Sequence, residues 1–184
     1  MNQQIIIVNG FPRSGKDSFC SFCKDFLNSL GIKVDIVSSV DKVKEAALLL
    51  GWDGKKDEKG RKFLSDLKDL STLVYNGPFN YITEHIFSTE AIVVFIFIRE
   101  ASEITKVVAS HKNVFTLKVS RPSGEEHYIN TGDADVENYQ YDFVIYNTKT
   151  LDHLQHLAQI FCKNHILKKE RETNKDLDRF LNSL

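Results

Sequence analysis

The hydrophobic positions of this chain change period several times, and each change marks an element. Ile5–Val8 is a continuous apolar run, as expected of a strand buried on both faces of a parallel sheet. From Gly15 to Leu30 the apolar residues Phe19, Phe22, Cys23, Phe26, Leu27 and Leu30 recur three and four apart, which predicts an amphipathic helix ended by Gly31. Lys33–Val37 reads as a second strand through Val34, Ile36 and Val37, and Asp41–Leu50 as a helix that stops at Gly51. A charged, glycine-bracketed loop follows, Gly51-Trp52-Asp53-Gly54-Lys55-Lys56. It leads into a helix from about Asp57, with Phe63, Leu64, Leu67, Leu70 and Val74 marking one face.

Asn76-Gly77-Pro78 breaks that helix, and a short helix is expected over Phe79–Ser88. Ala91–Ile98 is the strongest apolar run and predicts a buried strand. Ser102–Ser110 reads as helix, Val114–Val119 as strand, Arg121–Asn138 as a polar loop and Phe143–Tyr146 as a last strand. Thr150 is placed to cap a helix running from Leu151 to about Ile166. Residues 167–184 read as a charged helix or tail, on which Leu177, Phe180, Leu181 and Leu184 are expected to share an apolar face.

Strands alternating with helices predict a three-layer α/β/α architecture on a five-stranded parallel sheet. In such sheets ligands gather at the carboxyl ends of the strands. Those ends carry Gly10–Lys16, Ser38–Lys44, Arg99–Glu100, Arg121 and Asn147.

The first of these segments carries a motif. Ile5–Val8 runs straight into Gly10-Phe-Pro-Arg-Ser-Gly15-Lys16, with a helix after it. Gly-x4-Gly-Lys between a strand and a helix is a phosphate-binding P-loop, and it makes the fold a P-loop NTPase fold. The glycines permit a tight turn that presents backbone N–H groups to phosphate, together with the positive end of the helix dipole. Gly10, Arg13, Ser14, Gly15, Lys16, Asp17 and Ser18 are the expected ATP contacts, with Lys16 reaching the β- and γ-phosphates. The motif ordinarily places Ser or Thr after the lysine as a Mg2+ ligand. Here Asp17 stands there and Ser18 follows. A carboxylate suits Mg2+ as a hard oxygen donor, so Asp17 is the first candidate for the metal and Ser18 the second. The alternative role for Asp17 is to stabilise the helix start.

Phosphoryl transfer asks a protein mainly for cations and N–H groups that position phosphates and spread developing charge. Arg99 and Arg121 follow two strands directly and are the leading catalytic candidates with Lys16, because guanidinium groups grip phosphate bidentately. Lys42, Lys44, Arg61 and Arg99 are candidates for the acceptor. Asp41 and Asp66 are lesser candidates, for assisting a metal or the acceptor. Glu100 offers Arg99 an alternative as a surface ion-pair partner. The apolar strand Ala91–Ile98 ends in Arg-Glu and not in the Asp that commonly binds Mg2+ through water, which leaves metal duty to Asp17, Glu100 or solvent.

Composition narrows the field. With 184 residues, 42% hydrophobic and 27% charged, the chain fits one domain over residues 1–184, with 121–138 as a candidate short lid. A formal net charge of −1 provides no global field for nucleic acid, and no separate basic domain is present for a polynucleotide. No run of 18 apolar residues suggests a membrane span, and the first residues lack a basic n-region. Three cysteines, an odd number, fit a reducing cytoplasm. Cys20-x-x-Cys23 lies inside the first helix without a second pair and reads as core, and His153 and His156 read as ordinary helix residues. The guanine-recognising Asn-Lys-x-Asp of GTPase switches does not occur. The expected partner is a small-molecule nucleotide acceptor; oligomeric state is not legible.

Arg13-Ser14-Gly15-Lys16-Asp17 is similar to the P-loop of tailed-phage deoxynucleoside monophosphate kinases. Val119-Ser120-Arg121-Pro122, the polar loop up to Tyr139, Asp142-Phe143-Val144-Ile145-Tyr146-Asn147 and Thr150-Leu151 also resemble that family, and Arg99 falls where it has an arginine after its third strand. The resemblance covers both ends and most of the sheet; Gly51–Ser88 differs in length. It implies an adenylate-kinase-like fold and ATP-dependent phosphorylation of a nucleoside monophosphate. Animal-type phosphomevalonate kinases share a similar loop, so another small phosphate ester stays open as acceptor, as does a regulatory nucleotide-binding module without turnover.

Overall fold

Successive side chains of a strand point to opposite faces, so four consecutive apolar residues need a core on each side. A computed structural model of the chain describes residues 3–121 and 131–168 and shows both cores. Ile6 and Val8 of strand β1 (Gln4–Asn9) pack with Phe19, Cys20, Cys23 and Leu27 of helix α1 (Lys16–Ser29). Leu154, Ala158 and Phe161 of helix α7 (Leu151–Phe161) complete that side. Ile5 and Ile7 face the other way, onto Ile82 and Ile86 of α4 (Gly77–Ser88) and Ile104 and Val107 of α5 (Ala101–Ser110). Phe19 is fully buried and meets Phe161 edge-on at 5.7 Å between ring centroids, a favoured aromatic geometry.

The remaining strands are β2 (Val34–Ser38), β3 (Val93–Phe97), β4 (Val114–Ser120) and β5 (Phe143–Tyr146), all parallel and ordered β2-β3-β1-β4-β5. The three-layer α/β/α architecture expected from the pattern is thus present. β1 lies at the centre, with Val8 in register with Phe97 on one side and with Leu117 on the other.

Helices α2 (Asp41–Leu49) and α3 (Glu58–Tyr75) join β2 to α4. Asp57 caps α3 by accepting from Gly60 N at 2.8 Å, and Thr150 Oγ1 caps α7 by accepting from His153 N at 3.3 Å. Cys20, Cys23 and Cys162 are buried free thiols, which agrees with the core reading of the C-x-x-C pair.

Three expectations need correction. The apolar face read on α3 is not a core face: Leu70 and Val74 are 59% and 54% exposed, and the buried residues of the helix are Gly60 and Lys68. This helix packs on α2 and α4, not on the sheet, so its stripe meets only a shallow surface. The polar segment 121–138 contains a helix, α6 (Thr131–Asn138), secured by fully buried Val136 and by a Lys118 Nζ–Glu137 Oε1 ion pair of 2.5 Å. Ala134 and Val136 are its only apolar residues, too few to set a period. The last helix changes to a π-helical turn over Cys162–Leu167, where the buried Gln4 side chain donates to Ile166 O at 3.2 Å. Residues 122–130, most of the candidate lid, and 169–184, nearly all of the tail, lie outside the described residues.

Phe19→Ala is expected to cost about 3–5 kcal/mol, because it empties the space between α1 and α7. Chemical denaturation measures this, and a loss below about 1 kcal/mol would show that the two helices do not share a close-packed core.

Candidate functional site

A parallel strand buried on both sides must hand its last polar groups to partners before the chain can turn. Asn9 does this at the end of β1, where it is 1% exposed. Its Oδ1 accepts from Gly10 N at 2.8 Å, while its Nδ2 donates to Arg99 O at 2.9 Å and to the Tyr141 hydroxyl at 2.8 Å. Burial raises the Tyr141 phenol above its usual pKa, so it stays neutral as Asn9's acceptor. One side chain thereby joins the start of the loop to the segments after β3 and before β5.

The loop then turns tightly. Gly10 has φ +149°, and a Cβ there would lie 2.4 Å from Val119 O. Gly15 has φ +93°, and a Cβ would lie 2.6 Å from Asn147 Nδ2. Both positions therefore require glycine, one for closeness to β4 and one for closeness to the end of β5. Arg13 also has positive φ, +65°, a strained conformation for a residue with a side chain, worth about 1–2 kcal/mol. Ser14 N closes the turn onto Phe11 O at 3.1 Å, and Asn147 Nδ2 donates to Ser14 O at 2.9 Å.

Lys16 opens α1 and folds back over the loop, its Nζ 3.3 Å from Phe11 O. Among the described residues no side chain caps the start of α1, which leaves the first-turn N–H groups directed at the loop. Ser14 is buried, and its Oγ has no hydrogen-bond partner among the described residues. An uncapped helix start, a folded-back lysine and an orphaned hydroxyl within one loop fit the donor set of a polyphosphate. Asp17 is exposed and Ser18 half-buried immediately after the lysine. Both offer hard oxygen. Among the described residues no three His, Cys, Asp or Glu side chains form a ready-made metal cage, so Mg2+ here would need phosphate and water as further ligands.

The other candidates fall into three groups. Arg99, half-buried, and Arg121, exposed, follow β3 and β4, the two strands that pair with β1, so the backbone sets one arginine on each flank of the loop. Lys42 and Lys44 follow β2, one strand further out, and their charges are already engaged. Lys42 Nζ lies 2.7 Å from Glu45 Oε2, which raises its pKa, and Lys44 Nζ lies 2.7 Å from Asp41 Oδ1. An acceptor must compete for either lysine. Arg61 is exposed in the first turn of α3. Asp66 pairs with Lys62 at 2.7 Å on the outside of the same helix.

Glu100, considered for the metal from sequence, has its Oε1 held by Lys68 Nζ at 2.5 Å. Sequence reasoning gave no role to Asn9 or Lys68 and only an edge position to Asn147. A polar residue between an apolar strand and the first motif glycine was the available signal for Asn9.

No protein-family model matches the chain, and no curated protein matches it in sequence. Similar solved structures include the APS kinase CysC of Mycobacterium tuberculosis in complex with AMPPNP and APS (14% identity, 89% of this chain and 99% of that one, TM-score 0.46). They also include a sugar kinase from Janibacter sp. HTCC2649 (12% identity, 89% and 96%, TM-score 0.47) and the shikimate kinase of Aquifex aeolicus vf5 (12% identity, 88% and 99%, TM-score 0.45). At these TM-scores the likeness carries no argument about acceptor or reaction.

Asn147→Ala removes the donor to Ser14 O and leaves that carbonyl buried without it. The variant is expected to lose about 1–3 kcal/mol of stability and to bind a non-hydrolysable ATP analogue more weakly. Denaturation and calorimetric titration measure the two effects, and wild-type values in both would remove Asn147 from the support of the loop.

Proposed function

We propose that the chain transfers a phosphoryl group from ATP to a small phosphate acceptor, a ribo- or deoxynucleoside monophosphate, giving the diphosphate. The observation that carries this reading is the Gly10–Lys16 loop, set at the carboxyl edge of the central strand with an arginine following each neighbouring strand. Bound ATP with Mg2+ supplies the transferable phosphoryl group.

The chain's own residues supply position and charge. Backbone N–H groups of Arg13–Lys16 and the Lys16 ammonium hold the β- and γ-phosphates. Asp17, with Ser18 beside it, takes the metal's protein-side position. Arg99 and Arg121 approach from opposite flanks, grip the acceptor phosphate in line with the donor and stabilise charge on the group in transit. A monophosphate carries about two negative charges at neutral pH, which suits a pair of guanidinium groups. Lys44, released from Asp41, adds to acceptor affinity on the outer side, and Lys42 and Arg61 serve there as weaker contacts.

The test is ADP formation from ATP against a panel of ribo- and deoxynucleoside monophosphates, with and without Mg2+. Turnover with at least one nucleotide, dependent on Mg2+, is the expected result. ATP binding without turnover on any acceptor would replace the kinase by a nucleotide-binding module, and turnover confined to another phosphate ester would change the acceptor class. Lys16→Ala is expected to lower turnover about 10³-fold or more with the fold intact.

Arg99→Ala and Arg121→Ala are each expected to cut turnover roughly 10²-fold, with ATP affinity less affected. Wild-type kinetics in both would remove the clamp. For the metal, Asp17→Ala should shift the Mg2+ titration to higher concentration and Asp17→Ser should recover part of the shift. A titration unmoved by either change would reduce Asp17 to a helix-start residue.

A further inference from the structure

Lysine is almost never buried unless paired, yet Lys68 is 8% exposed on a helix whose other side chains are half-buried or exposed. Its Nζ lies 2.5 Å from Glu100 Oε1 and 3.5 Å from Glu103 Oε1, and the Glu103 side chain is 8% exposed. Glu100 directly follows Arg99, and Glu103 lies in the first turn of α5. Burial, with Glu100 beside it, raises the pKa of the Glu103 carboxyl, and its Oε2 has no hydrogen-bond partner among the described residues. The lysine is thus the cation that lets a buried and a half-buried carboxylate share one corner.

That corner is held from two other directions. Asn9 Nδ2, at the root of the P-loop, binds Arg99 O at 2.9 Å. Asp135 Oδ2 of α6 accepts from Ala101 N at 3.1 Å and so serves as the missing cap of α5, whose own N-cap residue Glu100 makes no such bond. Three separate segments, the loop root, α3 and α6, therefore converge on the five residues Arg99–Glu103.

We propose that Lys68 is a positioning residue for Arg99: by binding Glu100 and Glu103 it ties α3 to the arginine-bearing corner beside the P-loop. This rests on the kinase reading above, in which Arg99 touches the phosphates and Lys68 acts only through it. A helix that packs on α2 and α4 and is also joined to this corner by an ion pair moves with the corner, so the acceptor-side helix and the arginine keep one mutual geometry.

The experiment compares wild type with Lys68→Met, Lys68→Arg and Lys68→Met/Glu103→Gln, each assayed below its own unfolding temperature. Measured are kcat, acceptor KM, the Kd of a non-hydrolysable ATP analogue, and hydrogen exchange at the Ala101 amide. Lys68→Met is expected to lower kcat about 10-fold or more with analogue Kd changed less than about threefold. The Ala101 amide is expected to exchange about 10-fold faster. Lys68→Arg, which keeps the charge and offers two donors to two carboxylates, should recover most of the loss, and the double variant part of it, since it removes the repulsion between Glu100 and Glu103.

A kcat within twofold of wild type in Lys68→Met overturns the proposal, as does Lys68→Arg behaving like Lys68→Met. An equal loss of analogue affinity also overturns it, because the effect is then general and not placed at Arg99. If the wild type phosphorylates no acceptor, the kinase reading fails by itself. The tie between α3 and the corner is then decided by the Ala101 amide, and unchanged exchange in a folded Lys68→Met refutes it.

Discussion

The side chain of Asn9 sits, almost fully buried, where an apolar strand must become a polar loop. Its Oδ1 accepts from Gly10 N, and its Nδ2 donates once to Arg99 O and once to the Tyr141 hydroxyl. An apolar side chain of similar size would take the acceptor away from the buried Gly10 N–H, at a cost of about 1–3 kcal/mol, and would break the link to Arg99 O. Because the same amide serves both, the turn into the P-loop and the exit from β3 cannot shift independently. The arginine that follows β3 inherits this constraint, and so does the corner that Lys68 and Asp135 grip.

The far end of the loop is governed by closeness. Gly15 lies against Asn147 and Leu154, which puts the end of β5 and the first turn of α7 directly beneath the start of α1. The Phe19–Phe161 contact continues that approach into the core. The P-loop is therefore supported by hydrogen bonding at its entry and by packing at its exit. Its strained Arg13 backbone persists because both ends are fixed.

Much of this was legible from residues alone. β1, α1, β2, β3 and β5 followed from runs and spacings of apolar side chains, since each of these elements buries against the sheet or forms it. Gly10, Gly15 and Lys16 were legible because their spacing encodes a backbone shape. What the pattern missed involves polar side chains buried by their surroundings. Lys68 looks like any solvent-facing helix charge until Glu100 and Glu103 are brought beside it from another segment. Lys42 and Lys44 look available for a ligand until their neighbours Glu45 and Asp41 are seen to hold them. The helix α6 was illegible because Val136, one ion pair and one hydrogen bond to a backbone amide, not a repeated stripe, fix it in place.

The strand order has a kinetic side. β1 is central, yet neither of its partners is near in sequence: Ile5 aligns with Val94 and with Val114. Closing such distant contacts carries its entropic cost before any pairing rewards it, which makes central parallel strands slow to form. During synthesis Ile5-Ile-Ile-Val8 leaves the ribosome long before β3 and β4 exist. In that interval it is a short, uncharged, β-prone segment with both edges open. Helix α1 forms from local contacts and covers one face of this strand, so the helix that follows the glycine loop first acts as a shield for an apolar segment still without its partner strands.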